Sequence, residues 1–183
     1  MSTGSRKTVW RNRLFGLLLA GVIFLVDQWI KAQVLYTIKL PQVGSIEILP
    51  FFNLTYAENY GISLGMLTAT SMEMRWLLIA LTSGIALVVF IWMLREKLLG
   101  EIAALGLVLG GALGNILDRM NNGFVVDYAD LHFGEFRPFL IFNLADAAIS
   151  IGVLIILARS FLSREKHEEP ASLDEPAQAA TES

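Results

Sequence analysis

Four aspartates, Asp27, Asp118, Asp127 and Asp146, sit inside or beside stretches that otherwise read as membrane spans. A carboxylate in or next to hydrocarbon is costly, so by default it marks a functional site. Sorting the four by local partner separates them. Asp27 has Lys31 at i+4, a favourable order for a helical ion pair, and Asp118 has Arg119 beside it. These two are expected to stay ionised and structural. Asp146 has only Asn143 at i−3, and Asp127, in Phe124-Val125-Val126-Asp127-Tyr128, has no local base. Two such carboxyls meeting in a partly dry site resist double ionisation, so one of them holds a proton near neutral pH. A carboxylate can then take a proton from water while a carboxylic acid protonates a carbonyl or a leaving amine. Asp130 also lacks a local base; it lies in Asp130-Leu131-His132-Phe133-Gly134, which reads as loop, and is a secondary candidate.

Depth groups these residues. Asp27 lies 13 residues beyond Leu14, Asp118 lies 16 beyond Ile102, and Asp146 lies 12 before Ala158. At 1.5 Å per residue all three are roughly 18–24 Å from the inner boundary. In a core about 30 Å thick that is the outer leaflet.

The elements that must hold them are four apolar blocks. Residues 14–26 carry no charge, and their pattern resumes past Asp27 to about Tyr36; residues 76–94 and 102–117 carry none; residues 138–158 contain only Asp146. Each is long enough to cross a bilayer as a helix. In the third block Gly106, Gly110 and Gly114 recur every fourth residue, with Gly111 beside them, a spacing that lets spans approach closely. Asn115, Asp118 and Arg119 follow on one face. The second block offers only Thr82 and Ser83 and reads as scaffold. The fold class expected is an α-helical integral membrane protein: four transmembrane helices with a small extracytoplasmic β-sheet and a short outer helix or loop.

Of the 183 residues 55% are hydrophobic, and the mean hydropathy is +0.57. A net charge of −3 argues against a nucleic-acid partner. The absence of cysteine excludes disulfides, thiol catalysis and cysteine metal sites. Nine basic residues (Arg6, Lys7, Arg11, Arg13, Arg95, Lys97, Arg159, Arg164 and Lys166) fall on one side of the spans. Five (Lys31, Lys39, Arg75, Arg119 and Arg137) fall on the other side or at the polar helix ends. Both termini are therefore expected in the cytoplasm, with segments 37–75 and 120–137 outside. Asp27, Gln28 and Lys31 stand where a cleavable signal peptide needs small residues, so the first block is read as a retained span.

Segment 37–75 is rich in strand formers between Pro41, Gly44 and Pro50, and an antiparallel sheet is expected there. Its aromatics could rest at the interface or cradle a lipidic ligand; a folded loop without a ligand is the alternative. Residues 1–163 read as one membrane domain, and residues 164–183, charged and without periodicity, as a disordered cytoplasmic tail.

Other chemistries fit less well. His132 is alone among the residues expected outside, Lys31 is engaged by Asp27 and so is a poor partner for Ser63 in a serine–lysine dyad, and no phosphate-binding glycine loop is present. Asn53-Leu54-Thr55 matches a glycosylation acceptor, a pattern common by chance. A proton-coupled transporter would need an inverted repeat or a polar inward path, and neither is visible. A purely structural subunit would use the polar residues as helix glue only.

At these residues the chain resembles the lipoprotein signal peptidases (signal peptidase II), over roughly residues 12–160. The family elements stand as Asp27-Gln28-Trp29-Ile30-Lys31, Asn59-Tyr60-Gly61, Gly110-Gly111-Ala112-Leu113-Gly114-Asn115-Ile116-Leu117-Asp118-Arg119, Val125-Val126-Asp127-Tyr128 and Phe142-Asn143-Leu144-Ala145-Asp146. The resemblance implies an aspartic endopeptidase with Asp127 and Asp146 catalytic. It implies that Asp27, Lys31, Asn59, Gly61, Asn115, Asp118, Arg119 and Asn143 bind substrate or support the site. It implies no metal or organic cofactor, diacylglyceryl-modified prolipoproteins cleaved just before the lipidated cysteine, a bacterial inner-membrane location, and inhibition by globomycin. Glu58 and Leu64 depart from the residues the family often carries there, arginine and an aromatic.

Overall fold

The computed structural model describes residues 6–61 and 72–168. Ser63 and Leu64 lie outside the described residues. Eight elements follow in order: α1 (Arg6–Ala32), extended by one wide π-helical turn (Gln33–Thr37); α2 (Leu40–Val43); β1 (Ser45–Leu49); β2 (Phe52–Asn59); α3 (Met72–Arg95); α4 (Leu99–Asn121); β3 (Val125–Leu131); and α5 (Leu144–Glu168). Four helices, over Arg6–Thr37, Met72–Arg95, Leu99–Asn121 and Leu144–Leu162, are long and apolar enough to span a membrane, as expected. Leu18, Leu25, Val88, Leu154 and Phe161 are among the many large apolar side chains exposed on α1, α3 and α5, which is the outward face hydrocarbon requires.

α4 is the central helix. Of its apolar window 61% is buried, against 28% or less in the other three. The glycines explain this. A methyl added at Gly106 would lie 2.7 Å from the Gly16 carbonyl oxygen, and one at Gly110 would lie 2.6 Å from that of Ala20, so both face the α1 backbone. Gly111 faces the Ala145 carbonyl on α5 in the same way. The stripe thus admits α1 on one side and α5 on the other, and van der Waals contact between backbones replaces side-chain packing. Ala20, Ile79, Ala86, Met93, Ile102, Leu105, Leu109 and Ile116 complete the core shared by α1, α3 and α4.

α4 ends where Asn121-Asn122-Gly123 turns the chain. Asn122 N–H donates to Asp118 O (2.7 Å), Gly123 N–H donates to Arg119 O (3.2 Å), and Gly123 takes the left-handed φ of 91° that a glycine adopts freely. Arg75 of α3 donates to Arg119 O (2.8 Å) and Met120 O (2.6 Å), placing a cation on carbonyls that the helix leaves open.

The sheet is three-stranded and antiparallel, in the order β1-β2-β3. Its third strand comes from the segment after α4, so the sheet expected within 37–75 recruits residues from both outer segments. Asp130 lies inside β3, not in a loop. Val34, Leu40, Val126, Tyr128 and Ala129 form a second core that seats the sheet on the end of α1. α5 runs on to Glu168, so helix continues into the segment expected as a disordered tail; the remaining tail residues lie outside those described.

Candidate functional site

Four carboxylates converge where α1, α4, β3 and α5 meet. Asp27 is fully buried and Lys31 only 2% exposed. Lys31 Nζ lies 2.8 Å from Asp27 Oδ2 and 2.8 Å from Asp118 Oδ2, and donates to Asn115 Oδ1 at 3.1 Å. The sequence pairs Asp118 with Arg119; the structure pairs it with Lys31 instead. Arg119 follows Asp118 directly, so the two side chains leave the helix about 100° apart, and the glycine contacts turn Asp118 toward α1. Gln28, which the sequence reading passed over, donates through Nε2 to Asp118 Oδ1 (3.0 Å), Asp27 Oδ2 (3.2 Å) and Gly114 O (3.3 Å). Its signal was its type: an amide beside Asp27 in an otherwise apolar span. A methyl on Gly114 would reach 2.5 Å from Asp27 Oδ2, so this glycine makes room for the carboxylate itself.

The Lys31 cluster grips the two elements that carry the other acids. Asp118 Oδ2 accepts the Val126 N–H (3.1 Å), next to Asp127, and Asp27 Oδ1 accepts the Ala145 N–H (3.0 Å), next to Asp146.

Asn143 joins Asp127 to Asp146. Its Nδ2 donates to Asp127 Oδ1 at 2.6 Å and to Asn115 Oδ1 at 3.3 Å. Its Oδ1 accepts the Asp146 N–H at 2.9 Å, while the Asn143 N–H donates to Asp146 Oδ2 at 3.4 Å. These reciprocal bonds form a capping box: Asn143 is the N-cap of α5 and Asp146 its third residue. The local spacing that starts the helix therefore also orients a carboxylate of the site. Asn115 Nδ2 donates to the other Asp146 oxygen, Oδ1, at 2.7 Å. Asn59 Nδ2 donates to Asp127 Oδ2 at 3.1 Å, and its Oδ1 accepts the Gly61 N–H at 3.2 Å, which fixes the amide's orientation. Amides hold this second pair, with no cation in bonding range among the described residues. Burial, and after it the negative charge of Asp146, pushes the Asp127 carboxyl from its ordinary 3.8 up to about 7.

Arg119 is 9% exposed; its Nη1 donates to Asn115 O at 3.4 Å, its Nε has no hydrogen-bond partner among the described residues, and its charge interacts with Asp146, Asp127 and Asp118. Asp130 is 2% exposed but answered: Arg137 Nε donates to its Oδ1 (3.0 Å), Arg137 Nη2 to its Oδ2 (3.3 Å), and the Thr55 hydroxyl to Oδ2 (3.3 Å). It is not an unpaired acid.

A family model described as signal peptidase (SPase) II matches residues 19–162. The chain belongs to the signal peptidase II family. It is 54% identical to the lipoprotein signal peptidase of Sphingopyxis alaskensis over 83% of this chain and 88% of that one. It is 47% identical to that of Rhizorhabdus wittichii over 89% and 95%. Two solved bacterial membrane enzymes share the fold: one with a TM-score of 0.72 and 28% identity over 87% of this chain and 94% of that one, the other with 0.68 and 31% over 80% and 92%. Signal peptidase II enzymes are aspartic peptidases that remove signal peptides from prolipoproteins, and four spans with this membership make the chain an inner-membrane peptidase.

In this signal peptidase II the carboxyl pair borders a cleft of about 1200 Å³. Ala147, Ser150 and Ile151, deeper along the α5 span, form one end; Thr55 and Ala57 to Gly61 of the sheet and Arg137 to Phe142 of the loop form the other.

Proposed function

We propose that Asp127 and Asp146 form the catalytic pair of this peptidase and cut a diacylglyceryl-modified prolipoprotein just before its lipidated cysteine. The single observation that carries the reading is the Asn143 bridge: its Nδ2 holds the buried Asp127 carboxyl, its backbone N–H and Oδ1 hold Asp146, and among the described residues no cation is in bonding range of either carboxyl. One proton between the two is the low-energy state. Asp146, at the N-terminal turn of α5 and bonded by Asn115, suits the ionised role; Asp127 suits the acid. The carboxylate takes a proton from water as its oxygen attacks the scissile carbonyl, and the acid protonates the carbonyl oxygen. As the tetrahedral adduct collapses, the proton passes to the nitrogen of the lipidated cysteine, which leaves as the new amino terminus. Asp27, Lys31 and Asp118 position the pair. Asn59, Gly61, Asn115, Arg119 and Asn143 line or brace it.

Orientation belongs to the same reading. Both termini face the cytoplasm and the cleft faces the periplasm, as the distribution of basic residues supports. A substrate whose signal helix and acyl chains stay in the bilayer then meets the cleft by lateral diffusion. A globomycin-type cyclic peptide is expected to compete for the same cleft.

The test is processing of a diacylated model peptide in neutral detergent. Asp127→Asn and Asp146→Asn should insert, accumulate and melt cooperatively, yet turn over about 10³-fold more slowly or worse. Chelator should change nothing. Near-normal processing by either variant would overturn the assignment.

A further inference from the structure

Among the described residues, five charged side chains line the cleft: Glu58, Asp127, Asp130, Asp146 and Arg137. The undescribed segment 62–71 contains no Asp, Glu, Lys, Arg or His, so it adds none. Arg137 is taken up by Asp130, which cancels both charges. The Asp127–Asp146 pair retains one negative charge once it holds one proton. Glu58 remains, exposed, with no cation within salt-bridge range among the described residues. It is held nonetheless. Tyr56 donates its hydroxyl to Glu58 Oε1 at 3.1 Å, Tyr60 donates to Oε2, and the Tyr60 ring is braced against Phe124 with ring centroids 5.3 Å apart. A surface glutamate normally sweeps through many rotamers, and this one is clamped from both sides.

Its place in the cleft says what it would meet. Glu58 pairs with Val126 in the sheet, one residue from Asp127, at the end of the cleft away from Ser150 and Ile151. In the proposed reading the signal helix takes the membrane end, which sends the residues following the lipidated cysteine along the sheet. We propose that Glu58 is a specificity-determining residue that favours substrates with basic residues, and disfavours acidic ones, immediately after the lipidated cysteine. The inference rests on the proposed catalytic pair, because that pair sets where the scissile bond lies. Glu58 is exposed and its field is screened, so the preference is modest and salt-dependent. Electrostatic complementarity of this kind selects partners more than it adds affinity.

The experiment measures kcat/KM on three diacylated peptides that differ only after the cysteine, carrying Lys, Gln or Glu, at low and high ionic strength in neutral detergent. The wild-type enzyme should favour the Lys peptide over the Glu peptide by about threefold at low salt, through KM, with the ratio shrinking at high salt. Glu58→Gln, which keeps a hydrogen-bond acceptor for a tyrosine, should bring the ratio to about one, and Glu58→Arg should invert it. Turnover of the Gln peptide reports the folding of each variant, and if Glu58→Arg misfolds, Glu58→Gln still decides. A wild-type ratio of one, or a ratio that Glu58→Gln leaves unchanged, overturns the proposal. That failure is distinct from failure of the catalytic pair, which would show as processing by Asp127→Asn.

Discussion

Two pairs of aspartates lie within one hydrogen-bonded network, and among the described residues what separates them is a cation in direct contact, since Arg119 reaches Asp127 and Asp146 through its charge alone. Asp27 and Asp118 each touch Lys31 at 2.8 Å; among the described residues Asp127 and Asp146 bond only to amides. A buried carboxylate clamped by an ammonium is rigid scaffold, costly to strip of its partner. A buried carboxyl beside another carboxyl, with only neutral donors around it, gains by holding a proton. Asn115 spans the two pairs, accepting from Lys31 through Oδ1 and donating to Asp146 through Nδ2. The charged pair also sets the position of the second pair, since Asp118 and Asp27 bond the backbone one residue before Asp127 and Asp146.

The hardest way to break the contrast is to remove its cation. Lys31→Met leaves two buried carboxylates facing each other, at a cost of about 3–5 kcal/mol. The variant should fail to accumulate in membranes, or should melt far below the parent. Adding Asp27→Asn and Asp118→Asn should recover much of the loss, because the stranded charges are then gone. A Lys31→Met protein that accumulates and melts like the parent would mean that the cluster does not hold the bundle.

A smaller effect sharpens the other side. With its carboxyl near 3.8 when unfolded and at about 7 when folded, Asp127 takes up a proton on folding between those values. The stabilisation this gives is complete below about pH 4 and is lost as pH rises through about 7. Three units bound it at about 4 kcal/mol. Asp127→Asn removes the titration, so its melting temperature should gain on the parent as pH rises from 4 to 8, and level off above that. A gap that does not change with pH would show that Asp127 ionises freely. In the active protein the same proton should make kcat/KM fall above about pH 7, as the pair loses its acid.

The sorting of the acids was half legible. Lys31 at i+4 from Asp27 is a helix-geometry statement and needs no fold. Asp118 was assigned the wrong partner because its real one is on another helix, and only the rotation imposed by Gly106, Gly110 and Gly114 brings the two together. Strand β3 was hidden for a different reason. Val125 to Asp130 is buried on both faces, so it shows none of the alternation that marks a half-exposed strand. Asp130 looked unpaired because Arg137 reaches it only after the chain doubles back beyond Gly134, where φ is 63°. The Asn143-Leu144-Ala145-Asp146 spacing, by contrast, is readable as a helix start, and that start is what aims Asp146.

This double use of Asn143 gives the finest test. The residue has two jobs on two atoms: Oδ1 caps α5 through the Asp146 N–H, and Nδ2 bridges Asp127 and Asn115. Asn143→Ala loses both, so it should lose about 1 kcal/mol of stability for the cap and about a hundredfold in kcat for the displaced carboxyl, with KM little changed. Asn143→Ser restores a capping oxygen but no amide donor. It should recover the melting temperature and not the turnover. Were kcat to return with the cap, the bridge would be dispensable, and the contrast between the two pairs of acids would reduce to where they sit rather than to what lies between them.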